Sequence, residues 1–145
     1  MEHYVLGFIF DQSKKRVLLV KKNRPDWQAG RWNGIGGKID PLDASPLAAM
    51  ERENMEEIGV PYDWEHCVTF ICPGGTVFVF TNSDFLGDDI SFNQIEDEKL
   101  RVWRVDVIDQ LNVMNNLKRL IPVCLSTLQF PLVVHDMKKE VTNEK

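Results

Sequence analysis

Ser45 to Gly59, "SPLAAMERENMEEIG", is the segment that most constrains the fold. Ser45 and Pro46 have the chemistry of an N-cap and a first helical position, and Gly59 that of the residue that ends a helix. Between them stand good helix formers, with Leu47, Met50, Asn54 and Ile58 recurring at spacings of three and four, so they share one stripe. Glu53, Glu56 and Glu57 fall on a different stripe, within about 100° of one another at about 100° per residue. Like charges at those spacings cost about 0.2–0.5 kcal/mol per pair, so the crowding needs a reason.

Almost everything around this helix reads as strand. "YVLGFIF" (Tyr4–Phe10) and "RVLLVKK" (Arg16–Lys22) flank a polar turn and predict a hairpin. The Gly/Pro/Trp-rich segment that follows, "NRPDWQAGRWNGIGGK", has too many breakers for a helix. "CVTFICPGGTVFVFT" predicts strand, turn and strand, and "LRVWRV" one more strand after the acidic "DDISFNQIEDE". "NVMNNLKRLIPVCLSTL" predicts a second helix that Pro122 kinks or breaks, and "FPLVV" a short last strand. The order ββ(β)–α–ββ–β–α is that of an α+β chain, or an α/β/α sandwich with a mixed sheet. One domain is expected over residues 1–138, with 139–145 a frayed tail.

The formal charge of −5 leaves no basic footprint for a nucleic-acid polymer. No stretch approaches the ~18 apolar residues of a membrane span, and the N-terminal apolar run is too short for a signal peptide. Cys67, Cys72 and Cys124 are odd in number and form no C-x-x-C pair, the pattern of reduced thiols in a cytoplasmic protein. His3, His66 and His135 are isolated and read as structural or exposed.

Two explanations fit the glutamates. One is a solvated acidic face on which Arg52 pairs with Glu56. The other is a hard cation such as Mg²⁺, which favours carboxylate oxygen. The preceding glycines favour the second, since Gly36 and Gly37 allow backbone to approach an ion or ligand closely. In register from Gly37 come five residues, Asp43, eight residues, Arg52-Glu53, two residues, Glu56-Glu57, one residue and Gly59-Val60.

This spacing resembles the Nudix box, G-x5-E-x7-R-E-U-x-E-E-x-G-U with U aliphatic. Asp43 stands in place of the first Glu, one extra residue separates it from Arg52, and Asn54 takes the aliphatic position. A buried amide there needs partners or costs about 1–3 kcal/mol, and backbone behind the helix is the expected one. The resemblance implies a Nudix-type α/β/α sandwich and a hydrolase that cleaves a nucleoside diphosphate linked to another group, using Mg²⁺ or Mn²⁺. It assigns Glu53, Glu56, Glu57 and a carbonyl of Gly37 or Gly36 to the metal, and Arg52 to orienting the carboxylates. The resemblance puts the general base at Glu53 or at an acid of the loop before the late strand, where Glu96, Asp97 and Glu98 stand and Glu98 is the choice.

"AGRWNGIGGK" is further similar to the MutT-like branch acting on oxidised purine nucleoside triphosphates. That likeness implies base contacts from Asn33 and Trp27. An amide can pair with a purine edge and an indole can stack on it, although a turn residue and a core residue would look the same. Lys22 and Lys38 are candidate phosphate contacts, and Asn115 and Asn116 further candidates for the base. The expected product pair is a nucleoside monophosphate and pyrophosphate. ADP-ribose or a nucleotide sugar is the alternative substrate, and a non-catalytic nucleotide sensor the alternative function. The expected partner is a small nucleotide, bound by a monomer or homodimer.

Overall fold

A computed structural model of the chain describes residues 2–23, 29–82, 99–114, 116–126 and 132–135. The strands are β1 (Glu2–Phe10), β2 (Arg16–Lys21), β3 (Trp32–Asn33), β4 (Ile35–Lys38), β5 (Trp64–Cys72), β6 (Gly75–Asn82), β7 (Leu100–Arg104) and β8 (Leu132–His135). The helices are α1 (Pro46–Glu57) and α2 (Leu117–Leu125), with a 3-10 turn at Val105–Gln110. All eight strands join in one mixed sheet, ordered β3-β2-β1-β6-β5-β8, with β4 added to β1 and β7 to β2. The pairs β1–β6 and β5–β8 are parallel. The α+β expectation with a mixed sheet is borne out.

β1 is the axis of the fold, and its side chains alternate between two cores. Val5 and Ile9 pack with Ala49 and Met50 of α1, while Leu6, Phe8 and Phe10 pack with Leu117, Leu120 and Ile121 of α2. Helices therefore cover both faces. Gly7 lies where α1 comes nearest. A Cβ there would stand 2.6 Å from Met50 Cε and 2.7 Å from the Trp64 ring, so the missing side chain sets how closely the helix approaches the sheet.

The β1–β2 hairpin exists but holds only two register pairs, Ile9↔Leu18 and Phe10↔Val17. Earlier along the same edge, Tyr4–Gly7 pairs with β4 instead. β2 spends its length on β7, from Arg16↔Arg104 to Val20↔Leu100. Each strand is apolar enough to accept several neighbours, and contacts far apart in sequence decide among them.

α1 begins and ends as its caps require. The Ala48 N–H donates to Ser45 Oγ at 3.0 Å, Pro46 opens the helix, and Gly59 sits at φ 79° just past its end. The stripe is shifted, however. Ala49, Met50 and Asn54 are buried, whereas Leu47 is 42% exposed. α2 starts five residues later than its apolar pattern suggested, because Trp32 N–H donates to Asn112 O and Met114 N–H to Trp32 O, tying 112–114 to β3. It runs three residues beyond Pro122.

Candidate active site

The glycines of β4 bring strand backbone against the carboxylate face of α1. Gly36 has φ 154°, and a Cβ on it would lie 2.0 Å from Val5 O. At Gly37 a Cβ would lie 2.7 Å from Glu53 Oε1. Neither position accepts a side chain without moving backbone or carboxylate.

Arg52 answers most of the crowding on the helix. Its Nε and Nη2 donate to both oxygens of Asp43, at 2.9 and 2.8 Å, the paired geometry in which a guanidinium binds a carboxylate most firmly. Nη1 donates to Glu53 Oε1 at 3.1 Å and to Glu56 Oε1 at 3.3 Å, and Nη2 to the Lys38 carbonyl at 3.4 Å. The bond from Arg52 holds the Asp43 carboxyl below its usual range, and the bond to Asp43 foremost raises the Arg52 guanidinium well above its own. The acidic residue at position 43 is thus the anchor of the arginine. The Arg52–Glu56 pair of the solvated-face explanation is present, and it accounts for Glu56 but not for Glu57.

Glu57 stands apart from this clamp. Oε1 accepts from the Gly36 N–H at 3.4 Å and faces Lys22 Nζ at 3.8 Å, and Lys22 also donates to the Gly36 carbonyl at 3.4 Å. Oε2 is buried and has no hydrogen-bond partner among the described residues. Burial pushes the Glu57 carboxyl up, against the opposing pull of Lys22 and the Gly36 N–H. An ionised oxygen hidden from water with no donor is costly unless a cation meets it.

The donors present are those a hard divalent ion takes: carboxylates on one face of α1 and glycine carbonyls beside them. Among the described residues, no three acidic, histidine or cysteine side chains already converge on one point. The orphaned Glu57 oxygen and the oxygen-only donor set fit such an ion.

The helix C-terminus that carries Glu57 is pinned by Asn54. This residue is 1% exposed, and its Nδ2 donates to the Val60 carbonyl at 2.7 Å. Its backbone carbonyl accepts from the Ile58 N–H and, at 3.4 Å, from the Gly59 N–H, while its side-chain Oδ1 is buried with no hydrogen-bond partner among the described residues. The amide in the aliphatic position therefore bonds to backbone, as expected, and fastens the loop after α1.

The remaining candidates are placed as follows. Asn33 lies half-buried on β3, its Oδ1 accepting from the Gly34 N–H at 2.8 Å, the bond of a turn residue. Lys38 is exposed and pairs with Glu2 at 2.8 Å, away from the carboxylates. Asn116 precedes α2, where its Oδ1 accepts from Arg119 at 3.1 Å. Trp27, Glu98 and Asn115 lie outside the described residues. Two partnerships escaped the sequence, Asp43 with Arg52 and Lys22 with Glu57. For the first, an acid nine residues before an arginine was the available signal; the second joins the residue just past β2 to α1 and had none.

The NUDIX domain model matches residues 1–121. The chain belongs to the NUDIX domain family. An oxidized purine nucleoside triphosphate hydrolase of Mus musculus is 35% identical over 94 residues, covering 60% of this chain and 56% of the relative. The match thus spans little more than half of that relative's length. Among solved structures, a MutT protein from Bacillus halodurans superimposes with a TM-score of 0.68 at 21% identity, covering 96% of this chain and 92% of that one. The NUDIX domain of Shewanella oneidensis NrtR, in complex with ADP ribose, gives 0.67 at 19% identity and 84% coverage of both chains. Both carry the same fold, so the expectation of a Nudix-type sandwich is borne out. Nudix hydrolases generally use a divalent metal ion, and the family binds nucleotide substrates. Among the described residues no helix is long and apolar enough to cross a membrane.

Proposed function

We propose that this NUDIX protein, as one domain over residues 1–138, hydrolyses a nucleoside triphosphate to the monophosphate and pyrophosphate with Mg²⁺, which Mn²⁺ can replace. The observation that carries the proposal is the buried, unpartnered Oε2 of Glu57 on a carboxylate face closed by Gly36 and Gly37. Glu53, Glu56, Glu57 and a carbonyl of Gly36 or Gly37 would hold the ion. When bound, it supplies neutralisation of the pyrophosphate charge and activation of the attacking water.

The chain's own residues supply the rest. Arg52, fixed by Asp43, orients Glu53 and Glu56. Glu53 or Glu98 takes the proton from water as the water's oxygen attacks phosphorus and a phosphoanhydride bond breaks. Lys22 would meet the phosphates, Lys38 would do so only on leaving Glu2, and Asn33 and Trp27 would meet the base. The mouse relative, by name an oxidized purine nucleoside triphosphate hydrolase, supports a purine triphosphate as substrate. The NrtR domain seen with ADP ribose supports the second reading, an ADP-ribose or nucleotide-sugar substrate or a sensor without turnover.

Incubation with common and oxidised dNTPs, ADP-ribose and nucleotide sugars, with Mg²⁺ or EDTA, tests all three. We expect metal-dependent pyrophosphate release, fastest with a purine triphosphate. Activity on none of them sinks the enzyme reading. Asn33→Ala should then shift the purine-to-pyrimidine ratio of kcat/KM by about 1–3 kcal/mol, the cost of leaving a buried polar partner unpaired. An unchanged ratio removes Asn33 from base recognition.

A further inference from the structure

The two cations beside the carboxylates are held in different ways. Arg52 is fastened by short bonds to Asp43 and reaches Glu53 and Glu56 from a fixed position. Among the described residues the Lys22 ammonium has long contacts only, 3.8 Å to Glu57 Oε1 and 3.4 Å to the Gly36 carbonyl. Yet both groups are largely covered, with 17% of the Lys22 side chain and 21% of that of Glu57 exposed. Lys22 thus sits loosely between a carboxylate and a backbone carbonyl, the two kinds of oxygen a hard divalent ion seeks.

We infer that Lys22 is a resident counter-ion: it compensates Glu57 while the metal is absent and is displaced when a divalent ion binds. The inference rests on the assignment of Glu57 to the metal. An ammonium is a compact charge on a flexible four-carbon stem, so it can leave without backbone movement, whereas the forked guanidinium of Arg52 cannot leave Asp43 without breaking two bonds. Lys22 lies just past the end of β2, and its ammonium already reaches the Gly36 carbonyl, beside the oxygens assigned to the ion. Glu57 thus keeps a positive partner throughout, Lys22 without the metal and the ion with it.

Mn²⁺ binding without nucleotide tests this, in wild type and Lys22→Met. Loss of the competitor should tighten Mn²⁺ binding about two- to fivefold, the factor that a loose ion pair is worth. In EDTA the variant should melt below wild type, and Mn²⁺ should close the gap. Lys22→Arg, which keeps the charge, should show no tightening. In wild type, acylation of lysines followed by mass spectrometry should find Lys22 slow in EDTA and faster with Mn²⁺, a readout that stands if the variants fold poorly. Equal or weaker Mn²⁺ binding by Lys22→Met, or Lys22 reactivity that ignores Mn²⁺, overturns the inference. Failure of the hydrolase reading would appear separately, as a wild type that binds Mn²⁺ yet cleaves no nucleotide.

Discussion

Asp11 and Glu57 are both largely hidden carboxylates, and their surroundings treat them in opposite ways. Asp11, in the turn between β1 and β2, accepts on Oδ1 from the Lys15 and Arg16 N–H groups at 2.9 and 3.0 Å. Its Oδ2 accepts from Ser13 Oγ at 2.8 Å and Arg16 Nε at 3.1 Å. Burial pushes its carboxyl up, but these donors outweigh burial and hold it below the usual range. Glu57 has one long N–H bond, a loose lysine and an oxygen with nothing, and burial wins. A carboxylate that closes a turn comes with its donors built in. One that is incomplete in the folded protein is a place for something else to bind.

The largest break in this comparison should come from function. Glu57→Gln should lower kcat by about a hundred- to ten-thousandfold, since it removes several kcal/mol of help from the ion. It should be no less stable than wild type in EDTA, because a neutral amide escapes the burial penalty that outweighs the loose Lys22 pair, and repulsion with Glu53 is relieved. Near-normal turnover at low Mg²⁺ would make Glu57 a surface charge. Asp11→Ala should do the reverse. It strands the Lys15 and Arg16 N–H groups and should cost about 1–3 kcal/mol in chemical denaturation, with kcat unchanged in the folded fraction.

A smaller effect sharpens the contrast through its sign. Asp11 is held below its ordinary value, so its stabilisation is fully present above that value and is lost as pH falls through the folded one. Glu57 is held above its ordinary value, so its contribution is fully present below that value and is lost as pH rises through the folded one. Melting temperatures in EDTA over roughly pH 2–7 should show both, Asp11 at the acid end and Glu57 above its ordinary value. The deficit of Asp11→Asn should shrink in acid, and so should any gain of Glu57→Gln. The differences should be a few degrees, at about 2–4 °C per kcal/mol for a chain of this size.

How much was legible follows from the range of the forces. The ends of α1 could be read because caps are local: Ser45 bonds three residues on, and Gly59 needs only its own backbone freedom. The β5–β6 hairpin was legible for the same reason, its two strands meeting at Cys72↔Gly75. Partner choice was not. That β1 gives Tyr4–Gly7 to β4, and so keeps only two pairs with β2, depends on Gly7, Gly36 and the helix packed over them. Leu47 was placed on the buried stripe because spacing alone cannot tell which way a helix rolls on its sheet. At the site, the residue types and the glycine contacts were legible from the box. The division of labour between Arg52 and Lys22 was not, because it depends on distances between separate elements.

The central claim is that what Glu57 lacks is a divalent cation, and thermal melts of wild type, Glu57→Gln and Asp11→Asn against rising Mn²⁺, without nucleotide, test it most directly. An ion bound only to the folded state adds about 2.7 kcal/mol at a hundred times its Kd, so wild type should rise by several degrees. Asp11→Asn should start lower and rise by the same amount, while Glu57→Gln should scarcely move. An equal rise in Glu57→Gln and wild type would contradict the account, since the ion would then sit elsewhere.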